Sequence, residues 1–322
     1  MPRLRVYKRS ATIDTLELAM EPFEPSAAEG TVVVEIHSAG VNPSDVKAAL
    51  GAMPHAVWPR TPGRDWAGIV LQGPSELKGR EVWGTGGDLG ITVDGSHGRH
   101  IVLPHGAVKL KPSTVGLLEA GAVGVPFVTA VEGLTRAGMP EAGDVVLVLG
   151  ANGKVGQAAV QIATMLGAKV FGVERTREDY IGHASAEVRM IDASKEDIAS
   201  VVRSEGGGGG ANIVFNTVGS PYFEAACKAM AVLGRQVFIS TIERSIPFDI
   251  FAFYRGRHSF FGVDTLALDA VASTELLEKL TPGFASGSLK PFPVGESFTL
   301  ERAKDAYRAV YAGCRERVVL TP

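Results

Sequence analysis

A doubly wound parallel α/β sheet joined to a compact, barrel-like β domain is the fold this sequence predicts. Three observations carry that α/β assignment. The first third of the chain reads as short strands punctuated by Gly and Pro, with little helical periodicity. From residue 145 strands alternate with helices. At the head of that alternation a strand, a glycine turn and a helix follow one another within Asp144–Gln157.

The elements can be taken in order. Residues 31–37, 66–71 and 80–84 are expected strands, with a fourth at 100–103. Helical spacing rises from Val115, through Leu117, Leu118, Ala122, Val128, Val131 and Leu134 to Gly138, and sets a domain change near residue 122. Val145–Leu149 is an unbroken apolar run, as a strand buried on both faces requires. Val155, Ala159, Ile162 and Leu166 then recur at helical spacing before Gly167. A strand at 169–173, helices near 195–203 and 222–232, and strands at 213–215, 236–239 and 260–263 complete the alternation. The five glycines 206–210 precede a strand, not a helix, and read as a flexible connection. An amphipathic helix over 300–312 and a strand at 317–320 close the chain.

Composition bounds the function. The 322 residues suggest about two domains, and 45 % hydrophobic with 21 % charged residues is ordinary for a globular protein. A net charge of −3 gives no reason to expect nucleic acid or an anionic membrane as partner. Two cysteines, Cys227 and Cys314, are too few for a disulfide framework or a cysteine-ligated metal. No stretch reaches the roughly 18 apolar residues of a membrane helix, and Met1–Lys8 lacks the apolar core of a signal peptide. The expectation is a soluble cytoplasmic protein.

The turn Gly150-Ala151-Asn152-Gly153-Lys154-Val155-Gly156 is an expected phosphate cradle, offering backbone N–H groups and a helix N-terminus to an anion. Gly153 would let backbone approach a pyrophosphate, and Gly156 would let helix pack on strand. Ala151 stands where the strict fingerprint has glycine and needs a negative φ. Lys154 is either a phosphate contact or a solvent-facing lysine. Glu174 lies 18 residues beyond Gly156, where an acid accepts ribose hydroxyls and favours NAD; Arg175 and Arg177 favour a 2′-phosphate. The preference between NADP and NAD stays open.

Gly40-Val-Asn42-Pro-Ser-Asp45, Thr61-Pro-Gly63-Arg-Asp65-Trp-Ala-Gly68, Val125-Pro-Phe-Val-Thr129-Ala130, the glycine turn, Asn216-Thr-Val-Gly219 and Arg317-Val-Val-Leu-Thr-Pro322 together resemble the medium-chain dehydrogenase/reductase superfamily. Within it the chain looks most like the zinc-independent quinone oxidoreductase branch. The resemblance implies a GroES-like β-barrel catalytic domain from residues 1–122 and 265–322, with a Rossmann domain, 123–264, inserted between. It also implies cofactor contacts at Thr217, Val218, Gly219 and Ser240, hydride transfer from NAD(P)H in the interdomain cleft, and a homodimer through the apolar strand near Phe260–Val263.

Relatives that bind catalytic zinc carry Cys where this chain has Asn42, and a His-Glu pair where it has Arg64-Asp65. Catalytic zinc needs three protein ligands and structural zinc four, and neither set is present. His97, His100 and His105 cluster in sequence but fit an alternating strand and loop. A metal-free protein is expected. Without a Lewis acid, a quinone or α,β-unsaturated carbonyl is the easier hydride acceptor, because it spreads the incoming charge into a hydroquinone or enolate. Asn42 is the first candidate donor to the carbonyl oxygen, or else a turn residue before Pro43. Asp45, a candidate catalytic residue, is expected to orient neighbouring side chains or else to act as an acid. Lys47, where related quinone reductases often have Tyr, could donate or relay a proton, or stand solvated. Thr129 matches a threonine near the nicotinamide in relatives, or else is a packing residue inside a helix.

Three functions compete. The first is an NAD(P)H-dependent reductase of quinones or enones, with a small apolar or aromatic substrate held by Met53, Trp58 and Phe248–Tyr254. The second is a reductase of aldehydes or enoyl thioesters. The third is a dinucleotide-binding redox sensor or structural protein of low turnover.

Overall fold

A computed structural model describes residues 1–322, which divide into two compact units. One is Met1–Val128 together with Thr265–Pro322, the other Thr129–Asp264. The division falls at 128/129, later than the composition change at 122. It lies inside a helix whose Phe127 packs edge-on against Phe284 at 4.9 Å and lies 5.2 Å from Phe292, holding that first turn to the first unit.

The first unit contains β1 (Pro2–Arg5), β2 (Ala19–Pro22), β3 (Thr31–Gly40), α1 (Pro43–Ala49), β4 (Trp66–Gln72), β5 (Glu81–Gly84), β6 (His100–Pro104), β7 (Lys109–Leu110) and α2 (Leu117–Ala120). Helix α3 (Gly124–Arg136) carries the chain across the division. The four strands expected here are found, each within a few residues of its expected span. Strands β1, β2 and β7 went unread because they are short and interrupted by charged residues. In the second unit come β8 (Val145–Leu149), α4 (Lys154–Met165), β9 (Lys169–Glu174), β10 (Val188–Asp192), α5 (Ile198–Glu205), β11 (Ala211–Asn216), α6 (Phe223–Ala229), β12 (Met230–Phe238), α7 (Ile250–Gly256) and β13 (Ser259–Gly262). The chain returns to the first unit with α8 (Ala270–Glu278), α9 (Thr281–Ser286), β14 (Val294–Phe298), α10 (Ala303–Tyr311) and β15 (Arg317–Leu320).

Both chain ends build the first unit. Its sheet runs β14-β15-β3-β4-β5-β7, with β6 also on β3. Strand β15 pairs antiparallel with β3, Leu320 opposite Ala39, so the last residues complete a sheet begun by the first hundred. Leu4, Val34, Trp66, Ile101, Tyr307 and Leu320 share one buried core. That core fixes the ends of β3, β4, β5 and β15 relative to α1.

The second unit is a parallel sheet of order β10-β9-β8-β11-β12-β13. All five residues of β8 are buried, as its unbroken apolar run requires. The chain moves one way from β8 through β9 to β10, then returns to β11 on the other side of β8. That is the topological switch of a doubly wound sheet. Two expectations need correction. The helix expected over 222–232 stops at Ala229, because Met230 already pairs with Ala211 as the start of β12. Strand β10 was not foreseen, since Val188-Arg-Met-Ile-Asp is a half-exposed edge with a charge inside it. No helix joins β9 to β10. The connecting segment lies along α4 instead, with Tyr180 Oη donating to the Gln157 carbonyl at 3.4 Å and Ser185 N donating to Thr164 Oγ1 at 3.1 Å. This accounts for a helix α4 buried from Gly156 to Thr164.

Candidate active site

The glycine turn sits at the carboxyl end of β8, beside the ends of β9 and β11. Gly153 caps α4, whose first turn starts at Lys154 and Val155. A Cβ on Gly156 would overlap the carbonyl oxygen of Gly150, so helix and strand can come this close only with glycine there. Ala151 is buried and is not among the three non-glycine residues with positive φ, which meets the condition placed on it.

Glu174 ends β9 and points at the turn: its Oε1 accepts the Asn152 N–H at 2.6 Å. The acid is therefore fixed at the strand end by the turn itself. The Asn152 side chain faces outward to the β9–β10 segment, donating to the Asp179 carbonyl at 3.0 Å and accepting from Ile181 N at 3.1 Å. Arg175 and Arg177 are exposed just beyond Glu174. The Tyr222 hydroxyl feels Glu174 and Arg175 across the same edge; burial, and then Glu174, push its pKa up.

The neighbouring strand ends form the other side of the cradle. Thr217 Oγ1 donates to the Leu149 carbonyl at 2.7 Å, tying β11 to β8. Asn216 Oδ1 accepts from Val218 N at 3.1 Å and Gly219 N at 2.7 Å. Gly219 has φ +89°, and a Cβ there would overlap Thr241 just after Ser240. The cofactor-binding residues read from sequence thus fall on the carboxyl ends of four adjacent strands, β9, β8, β11 and β12. Thr129 is buried on α3 in the same unit.

In the first unit a second polar group surrounds Asp65. Its Oδ1 accepts from Thr85 Oγ1 and Val125 N, each at 2.7 Å. Its Oδ2 accepts from Asn42 Nδ2 at 3.0 Å and Arg317 Nη2 at 3.2 Å. One buried carboxylate thus joins the starts of α1, β4, α3 and β15 to the end of β5. Arg317 Nη2 also donates to Asn42 Oδ1 at 3.0 Å. Both ends of the Asn42 carboxamide are engaged by protein, and the side chain is buried.

Asp45 is buried on α1, with Oδ2 accepting from Asn42 N at 2.8 Å and Oδ1 without a partner. Burial raises its carboxyl from 3.8 to about 7, against the opposing pull of the Asn42 N–H and Arg64. Arg64 is buried too. Its Nε donates to the Gly86 carbonyl at 2.8 Å, and its Nη1 lies 3.4 Å from Ser44 Oγ. Lys47, two residues further along α1, is exposed. Met53 packs beside Ala48, Ala56 and Ile91, and Trp58 stacks on the Arg60 guanidinium at 4.0 Å, so both serve packing here.

These residues do not fit a catalytic zinc. The carboxamide and carboxylate that could face a metal already hold a guanidinium, a fixed cation that cannot be deprotonated. His97 is not aimed at them: Nδ1 lies 2.9 Å from the Tyr307 hydroxyl and Nε2 3.2 Å from the Gly40 carbonyl. Burial lowers its pKa to about 4, so the imidazole is neutral. His100 stands on β6 and His105 beyond it, and no group of three or more His, Cys, Asp or Glu could hold a metal ion.

Sequence reasoning gave no role to Ser44, Thr85 or Arg317, and placed Asp65 only as the match to the glutamate of the zinc-binding relatives' His-Glu pair. No local signal marks them, because their partners lie tens to hundreds of residues away.

Known proteins of this architecture match the chain along its length. The family model described as zinc-binding dehydrogenase matches residues 155–280, and that of the alcohol dehydrogenase GroES-like domain matches 28–113. A zinc-type alcohol dehydrogenase-like protein of Schizosaccharomyces pombe is 34 % identical, over 95 % of this chain and 92 % of its own. The quinone oxidoreductase of Homo sapiens is 25 % identical, over 97 % of this chain and 94 % of its own. A solved NAD-dependent alcohol dehydrogenase superposes with a TM-score of 0.85 at 25 % identity, covering 100 % of both chains. The chain belongs to the medium-chain dehydrogenase/reductase superfamily, in its quinone oxidoreductase-like branch. It is an oxidoreductase with a GroES-like unit and a Rossmann unit.

Proposed function

We propose that the protein reduces quinones or α,β-unsaturated carbonyls with NADH, without zinc. The observation that carries the reading is Arg317, whose guanidinium donates to both Asn42 Oδ1 and Asp65 Oδ2, the oxygens a metal would need free. With no Lewis acid available from this ligand set, the substrate must disperse the hydride's charge itself, which quinones and enones do and simple ketones do not. The bound nicotinamide would supply the hydride; the protein orients it and keeps water out.

The cofactor preference follows from Glu174. Its carboxylate is held at the end of β9 by the Asn152 N–H, where it can accept ribose hydroxyls and repel a 2′-phosphate. Arg175 and Arg177 are exposed just beyond it. Thr217, Val218, Gly219 and Ser240 continue the cradle toward the nicotinamide end, with Thr129 on the same unit.

On the substrate side, Asn42 and Asp45 are positioning residues in this reading, because both are buried and engaged. Lys47, exposed on α1, is the proton donor. A homodimer through β13 is part of the proposal. That strand is one of the two edges of the six-stranded sheet, and Ile250, Phe251 and Tyr254 on neighbouring α7 are exposed apolar residues.

Steady-state oxidation of NADH and NADPH with a naphthoquinone, a linear enone and a saturated ketone of similar size tests the function. Turnover with the first two acceptors and little with the ketone is expected. Tight cofactor binding with no turnover on any acceptor would leave a dinucleotide-binding protein without this activity.

A further inference from the structure

A large cavity lies apart from the glycine turn, wholly within the second unit, between α6 and α7. Its volume is about 670 Å³, well inside the range of roughly 300–1,000 Å³ typical of small-molecule sites. We infer that it binds a neutral, flat, apolar ligand, a small fused-ring aromatic.

The walls set the shape. Phe223 from α6, Phe248 before α7, Phe253 on α7 and Phe260 on β13 line it. Their rings brace one another, with centroids 5.2 Å apart for Phe248 and Phe253, 4.9 Å for Phe253 and Phe260, and 5.7 Å for Phe223 and Phe260. Aromatic walls held this way by edge contacts are preformed and present ring faces and edges to a planar guest.

The polar groups set the charge. Inside are the Cys227 thiol, 3.8 Å from Gln236 Oε1, and the His258 imidazole. Burial pushes the thiol up to about 11 and the imidazole down, so both are uncharged at neutrality. At the rim stand Glu224, Glu243 and Asp249 against Lys228, and Lys228 is paired with Glu224 at 2.6 Å. The rim therefore carries an acidic excess, which disfavours phosphates, carboxylates and sulfonates.

The cavity is also distinct from the outward apolar face of α7. Asp249, Ala252 and Phe253 turn to the cavity at helical spacing, while Ile250, Phe251 and Tyr254 lie on the opposite side. A smaller adjoining cavity of about 470 Å³ shares Phe223, Phe248 and Phe260 and reaches Gly219 and Ser240, so the occupant's inner end approaches the loops assigned to the cofactor.

The test uses the full chain carrying Cys314→Ser, which leaves Cys227 as its single thiol. Its alkylation by N-ethylmaleimide in mildly alkaline buffer reports directly on the cavity. 2-Naphthol should slow the reaction saturably, by about fivefold or more. 2-Naphthalenesulfonate, the same ring with a fixed negative charge, should need about tenfold higher concentration for equal protection. Ala252→Trp, which fills the mouth, should weaken naphthol binding about tenfold or more in calorimetric titration and leave NADH binding unchanged. Alkylation indifferent to naphthol, equal protection by the sulfonate, or protection that follows protein concentration because a second copy covers the cavity would each overturn the inference. None of these readouts depends on turnover, so failure of the reductase activity would leave the site standing, and the converse holds.

Discussion

The glycine turn of the second unit and the Asp65 group of the first differ in how far apart along the chain their parts lie. The turn is built from seven consecutive residues, with Glu174 added from the next strand. The Asp65 group draws on Asn42, Thr85, Val125 and Arg317, from one end of the chain to the other. A local motif fixes backbone and can be read as a motif. A long-range polar group exists only once both chain ends have met in one sheet. The first fixes the backbone at the end of one strand; the second holds the ends of five elements together.

The sharpest way to break that comparison is to remove each centre. Asp65→Ala leaves Arg317 buried without its carboxylate and should cost about 3–5 kcal/mol in urea unfolding, the range for a buried pair losing one partner. Arg317→Met together with Asp65→Leu should recover much of that loss, since both charges go at once. Gly156→Ala should cost about 2–4 kcal/mol and abolish cofactor binding, because its Cβ would overlap Gly150. Gly153→Ala is the milder control: the nearest atom to its Cβ is 3.2 Å away, so stability should fall by less than about 1 kcal/mol.

Glu174→Ala should move the NADPH to NADH ratio of kcat/KM toward NADPH by about tenfold or more, read from parallel saturation curves. An unchanged ratio would remove Glu174 from the ribose site and return the preference to Arg175 and Arg177.

A smaller effect separates two buried groups of the first unit by pH. Asp45 has its folded pKa raised from 3.8 to about 7, so its contribution to stability is complete below 3.8 and is lost as pH rises through 7. His97 is shifted the other way, from 6.5 to about 4, so its contribution is complete above 6.5 and is lost as pH falls toward 4. The two slopes oppose each other between about 4 and 6.5. Asp45→Asn should therefore leave stability rising with pH across that window, and thermal melts in a buffer series would show it.

Much of the fold was legible because it rests on short-range pattern. The unbroken run at β8, the spacing of α4 and the strand at Arg317–Leu320 were readable directly. Strand β10 was not, because an edge strand with half-exposed residues and an internal arginine lacks that pattern. The turn and Glu174 were readable as a pair from their spacing; that Glu174 bonds to Asn152 was not. In the first unit Asn42 and Asp45 stood out as residues. Their burial and the bonds of the Arg317 guanidinium to Asn42 and Asp65 emerge only from tertiary structure, and they turn Asn42 from an open donor into one engaged at both ends.

The central claim is that hydride transfer here proceeds without a metal, onto an acceptor that carries its own charge. NADH oxidation with a naphthoquinone, measured on protein stripped by chelation and checked for zinc content, tests it most directly. The account predicts full activity with no stoichiometric zinc and no gain when zinc is returned. Activity lost on chelation and restored by one equivalent of zinc would contradict it.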